Sequence, residues 1–143
     1  MSLIYYRDNA YAPVAGGNAY ATRSQVDPLL QFHPRWKYLD DPMKDEAIIA
    51  ASAQIDIMSY SGAKVSPTQP LQFLRQYNET DGVFAVEQQD RRLVQAVSAQ
   101  VEYNLARAGI GMTAYLHGNE SLTPRQEIIC REAQFALEPY REG

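Results

Sequence analysis

The stretch that most limits how this chain can fold is YSGAKVSPTQPLQFLR, from Tyr60 to Arg75. Pro67 and Pro70 each remove a backbone donor and push the residue before them, Ser66 or Gln69, towards extended geometry, so neither belongs in a helix interior. The chain must turn here. Gly62 follows the apolar run ending in Ile57 and Met58, as a helix stop would. Leu71, Phe73 and Leu74 put apolar bulk on an otherwise loop-like segment, and a loop so equipped is pinned to a core. The expectation is an ordered connection with Leu71 and Phe73 buried against the helices on either side.

Helix signals surround this loop. Ser24 can cap a short helix carrying Val26, Leu29, Leu30 and Phe32, with Pro28 limiting its length and His33-Pro34 ending it. Trp36, in the linker that follows, reads as a core anchor. Asp41 followed by Pro42 announces the clearest helix, whose apolar stripe is Ile48, Ala51, Ile55 and Met58. Beyond the loop, Asp81-Gly82 is a turn signal, and Val83, Phe84 and Val86 form the one strand-like place, a minor hairpin at most. A further helix starts near Asp90, with Leu93, Val94, Val97, Val101, Leu105 and Ala108 as its stripe and Gly109 as its stop. After the irregular GIGMTAYLHGNESL, a capping box at Thr123 to Gln126 with Pro124 at the first helical position opens a last helix, which should run to Glu138 and stop at Pro139.

The fold expected is therefore all-α: one domain over residues 1–143, a small bundle of three to four principal helices with a proline-rich central loop. An extended arm occupies residues 1–21, the helical core residues 22–109, and an irregular segment with a terminal helix residues 110–143. The arm holds Tyr5, Tyr6, Tyr11 and Tyr20, four of the ten tyrosines, which suits it to lie on its own core or on a neighbouring subunit.

Composition narrows the function. A formal net charge of -4 without runs of like charge argues against affinity built on a broad phosphate-binding surface. One cysteine, Cys130, leaves no internal disulfide framework and no thiolate cluster, and fits intracellular synthesis. Neither a secretion signal nor a membrane span is legible. His33 and His117 lack ligand-spaced companions, Cys130 falls on an apolar helix face with no nearby base, and the glycines of GIGMTAYLHG lack the Lys-Ser/Thr of a phosphate loop. No enzyme chemistry, metal or cofactor is expected.

The order Gly, spacer, Pro-x-Gln-x-Leu-x-aromatic-x-Arg, carried here by Gly62, Pro67, Gln69, Leu71, Phe73 and Arg75, resembles the midpoint of tailed-bacteriophage head-to-tail adaptor (connector or head completion) proteins. Some of those bear the label DnaT-like single-stranded-DNA-binding protein. The likeness extends over the flanking helices, from Asp41 to Ala108, and departs at Leu74 and Val94, where the family commonly has proline. It implies a virion protein, made in the host cytoplasm, that forms a ring of twelve subunits between the capsid portal and the tail or tail-nozzle proteins, with double-stranded DNA passing through it unread. It also implies a C-terminal segment, Pro124 to Gly143, that reaches the portal, with Phe135, Leu137 and Tyr140 as anchors; Tyr5, Tyr6 and Tyr11 are the candidates for contact with a neighbour. The alternative is a single-stranded nucleic-acid-binding accessory protein. Such binders join a basic groove to exposed aromatics, whereas this chain is acidic with scattered pairs such as Arg91-Arg92.

Overall fold

The computed structural model describes residues 2–58, 60, 63–73, 75–76, 82–108 and 129–141. Most of this is helix: α1 Arg23–Leu30, α2 Asp41–Asp56, α3 Gly82–Ala108 and α4 Arg131–Leu137, with single 3-10 turns at Trp36–Tyr38 and Glu138–Tyr140. Two short strands, β1 Ala63–Lys64 and β2 Arg75–Gln76, pair antiparallel, Ala63 opposite Gln76 and Lys64 opposite Arg75. The architecture is helical, as expected. The minor hairpin, however, closes the proline loop and does not lie at Val83 to Val86.

That displaced hairpin is the first correction, because α3 begins at Gly82 and absorbs Val83, Phe84 and Val86. β-propensity measures fit to a half-buried pleated surface and yields to context. The buried Gln89, four residues before Leu93, puts an amide in line with the stripe of α3. The stripe itself is as read: Leu93, Val97, Val101 and Leu105 are buried, with Val94 packed at the margin.

Helix starts shift slightly. Thr22, not Ser24, precedes α1, and its N–H donates to Gln25 Oε1 at 2.9 Å. Pro28 lies inside this eight-residue helix, which is too short to lose much by the missing donor. Asp40 caps α2 by accepting from Met43 N at 3.0 Å, which moves Asp41 to the first helical position and Pro42 to the second. The buried face of α2 carries Ile48, Ala51 and Ile55 as expected, and Trp36 is buried between α1 and α2 with its indole N–H on Asp27 at 2.9 Å.

The terminal helix needs a larger correction. Cys130 is extended and serves as the N-cap of α4, its Sγ accepting from Ala133 N at 3.3 Å, so a helix from Thr123 cannot run unbroken to Glu138. Buried Cys130 therefore caps a helix and does not sit on a helix face. Gly62, Leu74, His117, the GIGMTAYLHG segment and the Thr123 capping box lie outside the described residues.

α3 is the spine. It packs most extensively against α4, then α2, then α1. The arm folds back on itself before joining this core: Tyr6 N donates to Ala19 O at 3.0 Å, Val14 N to Tyr6 O at 3.1 Å, and Asp8 Oδ1 accepts from Ala10 N and Ala12 N. A Cβ on Gly17 would fall 3.0 Å from Tyr6 Cα, so this crossing needs glycine.

Candidate functional site

The central loop is a packing device, in which Gln69, Gln72, Phe73 and Arg75 each have a mechanical task. Gln69, buried, accepts from Ser66 N through Oε1 and donates through Nε2 to Leu71 O and Gln72 O, which holds the proline turn closed. Gln72 donates to Asp56 O at 3.0 Å and Met58 O at 2.9 Å, satisfying carbonyls at the end of α2 that have no partner within the helix. The Arg75 guanidinium donates to Gln72 O, Gln72 Oε1 and Tyr60 O, and Gln89 of α3 pairs with the Arg75 backbone in both directions, accepting from N at 3.2 Å and donating to O at 2.9 Å. Pro67 is exposed and Leu71 half-buried.

Phe73 is buried at the centre of an aromatic seam. Its ring meets Tyr60 at 4.8 Å, Tyr20 at 5.6 Å and Tyr140 at 5.8 Å between centroids; Tyr20 continues to Tyr6 at 5.2 Å and Tyr6 to Tyr5 at 4.9 Å, all edge to face. Each such pair is worth about 0.5–1.5 kcal/mol beyond its area. Arm, loop and C-terminal turn are thus joined through one ring.

Two carboxylates hold the phenol tips. Asp90 of α3 accepts from Tyr6 Oη and from two guanidinium nitrogens of Arg7, whose carbon lies 4.3 Å from the Tyr11 ring centroid and 5.2 Å from that of Tyr5. Burial, and then the Asp90 charge, raise the Tyr6 phenol far above its ordinary range. At the end of α2, Asp56 accepts from Tyr20 Oη and from Gln72 N, while Tyr20 Oη accepts from Phe73 N at 3.2 Å. Desolvation pushes the Asp56 carboxyl up, against the lowering hydrogen bond from Tyr20. A third polar track crosses the core: Asn104 donates to Gln54 Oε1 at 2.7 Å, Gln100 to Asn104 Oδ1 at 3.0 Å, and Cys130 N to Gln100 Oε1 at 2.8 Å.

None of these networks presents reactive groups to a substrate. His33 Nδ1 accepts from Arg35 N and Trp36 N, a turn-closing role. Burial raises the Cys130 thiol. Among the described residues no group of His, Cys, Asp and Glu is arranged to hold a metal ion, and no helix is long and apolar enough to cross a membrane. A shallow depression lined by Leu3, Thr22, Arg23, Ser24, Asp27 and Asp45 is open to solvent, with Arg23 engaged by Asp41 and Asp45 and Asp27 by Lys44.

The surface carries what the interior does not explain. Phe32 is 87 % exposed, Tyr38 81 % and Leu29 55 %, all around the turn between α1 and α2, and Phe135 on α4 is 78 % exposed. Of the residues expected to make outside contacts, Phe135 is the one that stands fully exposed. Leu137 and Tyr140 are corrected to core residues, because α4 lies flat on α3 and its 3-10 extension returns Tyr140 to Phe73. Tyr6 is likewise buried, with Tyr5 and Tyr11 half-buried on the chain's own arm. Phe32 and Tyr38 went unread as surface groups; the signal was the alternation of basic and aromatic residues in FHPRWKY, with Trp36 alone turned inward.

Comparison with family models, curated proteins and solved structures finds no match to this chain.

Proposed function

We propose that this chain is a structural assembly subunit, a head-to-tail adaptor of a tailed-phage virion that forms a ring between portal and tail with DNA passing through. The observation that carries the reading is the division of labour just described. Gln69, Leu71, Phe73 and Arg75 of the adaptor-like motif are spent on holding the subunit's own loop and core, while bare aromatic groups at Phe32, Tyr38 and Phe135 face outward. Isolated apolar groups are ordinary on a surface, but Phe and Tyr this exposed, on the α1–α2 turn and on α4, suit a subunit that binds neighbours. The acidic balance favours loose passage of DNA over gripping it. The portal-side role rests on α4 with Phe135, and twelve subunits are the expected ring.

The test is attachment to DNA-filled, portal-bearing capsids. Purified protein should co-sediment with them and slow DNA leakage, with little dependence on salt. Failure to attach, together with single-strand binding that weakens steeply as salt rises, would transfer the chain to the nucleic-acid-binding class.

A further inference from the structure

We propose that the exposed face of α4 around Phe135 docks on the Leu29, Phe32 and Tyr38 patch of a second copy of this chain. This deepens the ring reading by naming the two surfaces that meet, and it rests on that reading for its closed geometry.

The two patches are apolar at their centres and opposite in charge at their rims. Around Phe32 and Tyr38 stand exposed Arg35 and Lys37, with the Lys37 ammonium 5.2 Å from the Tyr38 ring centroid. Neither cation is in an ion pair with a described residue. The acids next in sequence are engaged: Asp40 caps α2 and Asp41 pairs with Arg23. On α4, helical spacing places exposed Glu132 three residues before Phe135 and exposed Glu138 three after it, with Arg131 as the one cation on that turn. Complementary rims around aromatic centres are the arrangement that steers and fixes a protein contact.

One copy cannot satisfy both patches by itself. α1 and α4 each pack on α3 with no comparable packing between them, and Phe32, Tyr38 and Phe135 all remain exposed, so neither patch covers the other within one copy. A contact between two different patches is heterologous, and repeated copies close into a ring or grow into a filament. The backbone of the basic patch is tied down between its two rings, since Trp36 is buried and its backbone N–H donates to His33 Nδ1.

Sedimentation velocity of the full chain over a concentration series tests the contact. The wild type should self-associate, and Phe32→Asp or Phe135→Asp should weaken association by at least about 30-fold, as loss of an interface anchor does, with an unchanged far-ultraviolet circular dichroism spectrum. The decisive arm uses charge. Arg35→Glu/Lys37→Glu and Glu132→Lys/Glu138→Lys chains should each associate weakly alone, and an equimolar mixture should recover assembly, since alternating copies restore both contacts. A monomeric wild type, reversed chains that assemble like the wild type, or a mixture that recovers nothing overturns the proposal. So does a Phe32→Asp chain that assembles normally while losing capsid or oligonucleotide binding, because the patch then serves another partner. Capsid attachment judges the adaptor reading separately. Attachment by a chain that never self-associates leaves that reading and removes this contact, whereas variant-sensitive association without attachment does the reverse.

Discussion

The arm and the α1–α2 turn are both short, irregular and aromatic, yet one is buried and the other bare. In the arm, Tyr6 and Tyr20 find carboxylates on α3 and α2 waiting for their hydroxyls, so each ring can leave water without stranding its polar tip. In the turn, Trp36 alone is matched, through Asp27, and Phe32 and Tyr38 stay in solvent. Aromatic content does not decide burial. What decides it is whether a packed element offers the hole and, for a tyrosine or tryptophan, the acceptor as well.

Four measurements would break or sharpen that contrast. The largest effect is expected at the seam's hub, where Phe73→Ala should cost about 3–5 kcal/mol in urea unfolding; an unchanged midpoint would mean that the loop does not depend on its ring. Next, Asp90→Ala strands the Arg7 guanidinium and the Tyr6 hydroxyl together. Because this pair is only partly buried, about 2 kcal/mol is expected, below the 3–5 kcal/mol of a fully buried pair. Limited proteolysis should then cut the arm first, and equal resistance in both proteins would contradict the clasp.

The third measurement follows pH. Asp56 has a folded-state pKa raised by burial, so the folded chain holds this proton more tightly than the unfolded one. Its stabilising contribution is complete below the unfolded value and is lost as pH rises through the folded one. Asp56→Asn removes this linkage, so the variant's stability relative to wild type should improve from acid towards neutral pH. A constant difference would show that Asp56 titrates as it does in the unfolded chain. The smallest effect belongs to the bare turn: Phe32→Ser should shift stability by no more than about 0.5 kcal/mol, and a loss comparable to that at Phe73 would show that the turn is part of the core.

The same contrast explains what could be read in advance. The proline turn, the start of α2 within one residue, the stripe of α3, and the burial of Trp36 and Phe73 follow from local chemistry: caps, periodicity and fixed dihedrals. The hairpin placed at Val83 to Val86, the unbroken terminal helix, and Leu137 and Tyr140 as outside anchors failed for a common reason. Each depended on a partner remote in sequence, such as Gln100 drawing Cys130 N out of helical geometry, or Phe73 receiving Tyr140. The polar track through Gln54, Gln100 and Asn104 was missed for the converse reason, since an amide on a helix face reads as solvated until another amide is found opposite it.

The Gln89 side chain gives the small hairpin a property its length would not suggest. A carboxamide has the same donor and acceptor as a peptide group, and here it meets both backbone groups of Arg75 as a third strand would. Unpaired strand edges are templates on which foreign chains can add. By filling that position from a helix, the subunit occupies the β2 edge at Arg75, so that a strand from another chain finds no free main-chain pair there.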